Sequence, residues 1–586
     1  MDTASLDEIE HIVSELAQRP NVIFASFEEA RELAEPFGAS TSLGSRNYVS
    51  TVKNLSTALT VYLGSERVET GFLTQRKRDI KKSAPETIRH LQSYLASAPM
   101  VRVRCAMGDR SSFTPACSLF VSTYRRDSVR LAHMAAQTLF PRNTVILNTV
   151  KNLGPDVEIL RTAPKEVPIF GGDFLSNVTA PPVRSVAQND AELTVVAVPE
   201  WPEKERQVLV FPEIGVTFIL GTDYFGEVRN AFLRMAMWLA KERGMLGLHA
   251  GTKIARAVGP GGGIRRLGMI MFGIAATGKT THSCHDHGLD QPGEGVEIAQ
   301  DDVVFWRADG SALGSERSLY IKTDGLNPAD QPLLYAAAVH PDAILENVMV
   351  DYRGEVHFDD RTLTANAHAI APRAGLGPLA GESINLPPVS ELDRLVLAFM
   401  VRDYTAVPIA SKLTPEQAAV AFMLSESIDA AGAEQQLGAA SGGIGASPYV
   451  IGDAAVDCNL FYDLVKSHGR KIECYMLNTG GVGELVEHDL DGARRVRRKV
   501  TRVAIPEMAA IIRGIARGTL QWREDPNWMV ETPAHVDGLD ISRFDLDRHY
   551  DQDKIDSLIA ETRLERARYA EQFAGLSPAV RASAEF

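Results

Sequence analysis

Residues 273–281 read Gly273-Ile-Ala-Ala-Thr-Gly-Lys-Thr-Thr281, an unbroken match to G-x-x-x-x-G-K-[ST]. The apolar run 267–272 before it predicts a buried strand, and 280–285 after it predicts the opening of a helix. That context separates a phosphate-binding loop from a chance pattern. Glycines let backbone N–H groups turn toward phosphate oxygens, and a helix N-terminus favours the same anion. Gly273, Ala275, Ala276, Thr277, Gly278, Lys279, Thr280 and Thr281 are therefore the expected nucleotide-binding residues. Lys279 supplies a point charge for the outer phosphates, and Thr280 a hydroxyl for Mg²⁺. A glycine-rich turn without a ligand is the weaker alternative. The loop predicts an α/β fold that handles a nucleoside triphosphate.

At 586 residues the chain exceeds a single core, so two large lobes or three smaller ones are expected. Its 45% hydrophobic and 23% charged content is ordinary for a soluble globular protein. A formal charge of −14 argues against a nucleic-acid partner, which needs a basic face. The longest apolar runs fall short of a bilayer span, and the start Met1-Asp-Thr-Ala-Ser-Leu-Asp-Glu is acidic and polar, unlike a secretory signal. Cys105, Cys117, Cys284, Cys458 and Cys474 are scattered, with no C-x-x-C spacing, which fits reduced thiols in a cytoplasmic protein.

Periodicity predicts helices in 1–45 (Ile9, Ile12, Val13 and Leu16 on one face), 129–140, 227–242 and 551–573, and strands at 101–104, 117–122, 208–211 and 216–221. Val258-Gly-Pro-Gly-Gly-Gly263 is a flexible turn. Residues 438–446, rich in small side chains, are either a mobile lid (near 435–450) or an inert surface loop. Val296-Glu-Ile-Ala-Gln-Asp-Asp302 is an apolar strand ending in two carboxylates, where a phosphate-loop protein orients its metal. His282, Cys284, His285 and His287 carry metal-ligand types at a spacing that fits no standard zinc set. The run Arg494, Arg495, Arg497, Arg498, Lys499 reads as a solvated basic face or as a nucleotide contact through Arg498.

Taken in order, these motifs resemble the ATP-dependent phosphoenolpyruvate carboxykinase family from about residue 68 onward. Residues 69–79 are similar to the family's D-T-G-x-x-T-G-R-S-P-K-D, and Gly221–Asn230 to its G-T-x-Y-x-G-E-M-K-K. The phosphate loop is close to G-L-S-G-T-G-K-T-T, and Gln300-Asp301-Asp302 to G-D-D. Leu319-Tyr-Ile-Lys322-Thr323 resembles C-Y-A-K-T, and Asp342-Ala-Ile-Leu-Glu-Asn-Val348 resembles D-A-L-L-E-N-V. Ser411-Lys-Leu-Thr414 and Leu477-Asn-Thr-Gly480 match S-R-L-T and V-N-T-G. The resemblance implies a mixed α/β, two-lobed fold: 1–245 as the substrate-side lobe and 246–586 as the phosphate-loop lobe with nucleotide and metal. It implies ATP on Lys279, Mg²⁺ on Thr280, and a second ion, commonly Mn²⁺, on His249 and Asp302 with Asn230 beside them. Lys322 would lie by the transferred phosphoryl group, Arg76 on the substrate, and Tyr224 at the carboxylate or carbon dioxide side.

Three departures stand on the substrate side. Arg229 and Asn230 replace two family lysines, and an amide oxygen suits Mg²⁺ better than Mn²⁺. Ala365-Asn-Ala-His368 replaces E-N-T-R, exchanging a bidentate fork for an imidazole, with Arg373 as the candidate to compensate. Gln75-Arg76-Lys77-Arg78 replaces Gly-Arg-Ser-Pro. The expected function is an ATP-dependent phosphotransferase acting on a small anionic or hydroxylated metabolite other than oxaloacetate. The alternatives are an authentic carboxykinase, making phosphoenolpyruvate, carbon dioxide and ADP, and a nucleotide-binding regulatory protein without turnover.

Overall fold

Leu193-Thr-Val-Val-Ala-Val198 shows no polar alternation, and it folds as a strand buried on both faces. In the computed structural model, which describes residues 6–52, 60–62, 84–110, 112–142, 192–203, 206–273, 277–424, 451–488 and 494–584, this strand is central to an eight-stranded mixed sheet. Ala116–Ser122 and Val216–Leu220 flank it in parallel. Each of these then pairs antiparallel, with Met100–Ala106 and Gln207–Phe211 respectively. Arg130–Thr138 packs a nearly buried face over this sheet, as its amphipathic pattern requires.

The phosphate loop belongs to a second, ten-stranded sheet. Leu246–Val258 and Ile264–Phe272 form a long hairpin, closed by the glycine-rich turn in which the Gly259 N–H donates to the Gly263 carbonyl at 2.8 Å. Ile264–Phe272 runs parallel to Arg394–Val401, which runs parallel to Ile472–Asn478. The loop therefore leaves the carboxyl end of a strand in the parallel part of the sheet, where α/β folds form ligand crevices. Gly295–Gln300 pairs antiparallel with Leu246–Val258 and delivers Asp301 and Asp302 beside the strand that carries His249.

A third sheet orders Ser318–Lys322, His368–Pro372, Ile344–Glu346, Arg46–Tyr48 and Ala39–Ser40. It places Lys322 opposite His368 and brings residues 39–48 against strands from much later in the chain. The helix Phe225–Glu242 touches both Leu193–Val198 and Leu246–Val258 and is buried along most of its length. Phe225, Val228, Phe232 and Met235 share one core with Val195, Val303 and Phe305, so this helix joins the two large sheets. Each such side chain contributes roughly 1.5–3 kcal/mol of burial.

Most expected elements are present, with the tail helix running Gln552–Ala570 behind an Asp551 cap. Residues 6–45 depart from the expected helical stretch. Leu6–Leu16 and Phe27–Ala34 are separate helices with the strand Val22–Phe24 between them. Pro20 is the reason, because it disfavours helical backbone at Arg19. The helix after the phosphate loop is also short, Lys279–Ser283, ending where Cys284 leaves helical geometry. The segment 435–450, Arg76, Ala275 and Ala276 lie outside the described residues.

Candidate active site

The site is organised around one carboxylate. Gly278 adopts left-handed backbone at φ 87°, open to glycine at little cost, and starts the short helix so that Lys279 points back toward the end of Gly295–Gln300. The Lys279 ammonium donates to Asp302 Oδ1 and, at 3.1 Å, to the Asp301 carbonyl. His249 Nε2 stands 2.7 Å from the same Oδ1. Arg229, from the buried joining helix, donates to Asp302 Oδ2 at 2.6 Å and through Nε to Glu316 Oε1 at 2.7 Å. Three bases thus converge on Asp302 from three separate elements.

The electrostatics follow from burial and from this convergence. Burial alone would raise Asp302, but Lys279, Arg229 and His249 outweigh it and hold the carboxyl well below its ordinary range. Asp301 and Glu316 lack that excess of cations. Burial, then the charge of Asp302, pushes Asp301 up to about 6, and burial pushes Glu316 up to about 7 against the pull of Arg229. His249 is pulled down by burial and by Lys279, so its imidazole is neutral. The pocket carries two fixed cations against one firmly ionised carboxylate, a balance that suits a polyphosphate.

A stack of rings extends from Arg229. Its guanidinium lies over Tyr320 at 4.5 Å, and His368 stacks on that ring at 4.4 Å with 12° between planes. The Tyr320 hydroxyl reaches Tyr224 and Glu346 at 3.3 Å each, and the Tyr224 hydroxyl reaches His368 Nδ1 at 3.3 Å. Tyr224 is held in place from behind. The neighbouring Asp223 carboxylate accepts from the Thr51 and Val52 N–H groups and from Arg130, and the Tyr224 ring folds over Gly226, where a Cβ would come within 2.4 Å of it. Burial, followed by Lys322 and Arg229, pulls His368 down to about 3. It is a neutral ring, not a cation.

The sequence model described as phosphoenolpyruvate carboxykinase matches residues 174–542, well over half of the chain. The chain belongs to the phosphoenolpyruvate carboxykinase family. It is 32% identical over 366 residues to phosphoenolpyruvate carboxykinase (ATP) of Aeropyrum pernix, covering 61% of this chain and 67% of that protein. It is 28% identical over 334 residues to the Rhizobium etli protein of that name, covering 56% of each. With the Rhizobium rhizogenes protein it shares 27% identity over 384 residues, covering 64% and 66%. The chain thus spans between 56% and 67% of these relatives' own lengths.

Within this carboxykinase-family chain, Lys279, His249, Asp302 and Arg229 come together as described, and Tyr224 joins them through Tyr320. Asn230 is buried one residue beyond Arg229, and Thr280 and Thr281 are half-buried on the short helix, with the Thr281 hydroxyl 3.2 Å from Gln331 Nε2. The N-T-G segment braces the loop, since the Thr479 hydroxyl donates to the Thr277 carbonyl at 2.7 Å. Lys322 ends its strand exposed beside His368. Arg498 is not in the Asp302 cluster: its Nε donates to the Gly483 carbonyl at 2.7 Å and its guanidinium lies over Tyr550.

Arg373 does not rebuild the missing fork. Its guanidinium donates to the backbone carbonyls of Ala299, Ile298 and Gly381 and so clasps the strand that carries the carboxylates. The sequence reading missed Glu316, Tyr320 and Glu346 as site members. Tyr320 and Glu346 both lay within segments already matched to the family, Glu346 as the acid ending the apolar Ile344–Glu346 strand. Glu316 carried no motif. Among the described residues no helix is long and apolar enough to cross a membrane.

Proposed function

We propose that this chain is an ATP-dependent phosphoenolpyruvate carboxykinase, converting oxaloacetate and ATP to phosphoenolpyruvate, carbon dioxide and ADP in the cytoplasm. The observation that carries this reading is the meeting of Lys279, His249 and Arg229 on Asp302, with Lys279 drawn from an unbroken phosphate-loop sequence. Cleavage of the carbon–carbon bond leaves an enolate oxygen, which attacks the γ-phosphorus as the bond to the β-bridging oxygen breaks. Little covalent chemistry is then left for the protein, and catalysis is positioning plus charge neutralisation. Lys279 meets the outer phosphates, Lys322 lies beside the transferred group, and Arg229 and Tyr224 line the substrate side.

A divalent ion fits these residues. The His249 Nε2–H donates to Asp302 Oδ1 at 2.7 Å, and an ion would take that proton's place between them, with the Thr280 hydroxyl and Asn230 amide on neighbouring elements. Mg²⁺ usually completes its coordination with nucleotide oxygens and water. Such an ion supplies Lewis acidity at the phosphoryl oxygens. Mn²⁺ is the alternative occupant of His249 and Asp302.

A second reading has its own observation. His368 is a neutral ring, and Arg373 is committed to backbone carbonyls, so among the described residues neither position supplies a second guanidinium to the substrate side. That favours a phosphotransferase whose acceptor is not oxaloacetate. ADP release from ATP with oxaloacetate, with carboxylation of phosphoenolpyruvate run in reverse, decides between them. Oxaloacetate-dependent ADP is expected; ATP binding without it would sink the carboxykinase reading and leave the other acceptor.

A further inference from the structure

Behind the phosphate loop lies a buried lysine that the proposed chemistry does not use. Lys253 sits on Leu246–Val258, four residues after His249, with no exposed surface. Its amino group donates to the His282 carbonyl, to the His285 carbonyl at 2.8 Å and to His287 Nδ1 at 3.1 Å. All three contacts of the amino group are to acceptors, which offsets part of the desolvation by which burial pulls this amine down to about 7. All three acceptors lie at or just beyond the end of Lys279–Ser283.

The surroundings fix this turn further. A Cβ on Gly251 would come within 2.5 Å of Ser283 Cβ, so the short helix lies directly on the strand. His287 adopts φ 57°, its ring stacks on His285 at 5.0 Å, and its carbonyl accepts from Arg513 Nη1 at 2.9 Å. His287 also stacks on His282 at 5.7 Å, and the amino group reaching these rings is that of Lys253.

We propose that Lys253 is a positioning residue of the phosphate loop, an internal amino group that ties the 282–287 turn to the strand carrying His249 and so sets Lys279 and Thr280 against a nucleoside triphosphate. It holds one side of the site at a set distance from the other: Lys253 and His249 share a strand, and Lys279 and His282 share a helix. The inference rests on the reading of residues 273–281 as a nucleotide site.

The experiment is calorimetric titration of Mg²⁺–ATP into the full chain and its Lys253→Met variant, with steady-state KM values for ATP and oxaloacetate beside thermal unfolding. A folded variant is expected to bind ATP at least about tenfold more weakly and to raise the KM for ATP, with the KM for oxaloacetate within about twofold. A folded Lys253→Met with wild-type ATP affinity would overturn the proposal, as would equal increases in both KM values. Should that variant fail to fold, His287→Phe removes one acceptor while keeping the ring stack. An affinity loss of about threefold supports the tether, and wild-type affinity overturns it. Absence of ATP binding by the unaltered chain removes the nucleotide reading and this inference with it, whereas failure of the variant series alone leaves that reading standing.

Discussion

His249 Nε2 and Asp302 Oδ1 meet at 2.7 Å, although one side chain comes from the middle of a long strand and the other from just beyond the end of its neighbour. The carboxylate is shared with Lys279 and Arg229, and burial would be costly to it without them. Asp302→Asn should therefore act twice. It leaves Lys279 without a counter-charge, destabilising the fold by about 3–5 kcal/mol, less whatever Glu316 recovers through Arg229. It should also lower turnover by about two to three orders of magnitude. Urea unfolding and ADP release measure the two effects, and near-normal turnover would remove Asp302 from the site.

Lys279→Met is expected to separate function from folding. The variant leaves Asp302 with His249 and Arg229, so the carboxylate keeps partners and stability should change by about 1 kcal/mol or less. Turnover should fall by about three orders of magnitude, because the charge at the outer phosphates is gone. A variant that retains turnover would break the assignment of the phosphate loop.

The parts legible in the sequence are those whose cause is local. Gly273–Thr281 carries its motif in its own glycines and lysine, and the apolar run expected as a strand at 216–221 folds as the buried strand Val216–Leu220. What the sequence concealed depends on residues far apart in the chain. Nothing near Glu316 signals that it will meet Arg229, 87 positions away, and nothing near Arg373 signals that three backbone carbonyls will consume its donors. Arg373 was the residue expected to compensate for His368. Only the third sheet, which aligns His368 with Lys322, shows that the two occupy different environments.

His368→Arg tests whether a fixed guanidinium is what the substrate side lacks. The slot is already filled by a neutral ring stacked on Tyr320, with Arg229 also over that ring and Lys322 across the strand pair. A second guanidinium there would face Glu346, its cross-strand neighbour, whose carboxyl burial pushes up to about 7, so drawing both charges into the buried slot should cost about 1–3 kcal/mol. We expect lower thermal stability and no gain in kcat/KM for oxaloacetate. A gain of about tenfold or more would show that the natural chain is adapted to another acceptor.

Glu346 makes a prediction about pH whose sign is fixed by burial. Its carboxyl accepts from the Phe225 N–H at 2.8 Å and from the Tyr320 hydroxyl, yet burial pushes it up to about 7 from an ordinary value of 4.5. Between those two values the folded chain retains a proton that the unfolded chain has released. Stability must then fall as pH rises through that window, and the loss is complete above about 7. Glu316, pushed up to about 7, adds a slope of the same sign, so the wild-type curve alone does not isolate either group. Glu346→Gln does, because a carboxamide of the same shape cannot titrate. Relative to wild type the variant should gain nothing near pH 4.5 and on the order of 1–3 kcal/mol by pH 8. Urea unfolding at four pH values across this range reads the difference directly. A constant offset between the two proteins would mean that Glu346 is not the group that titrates.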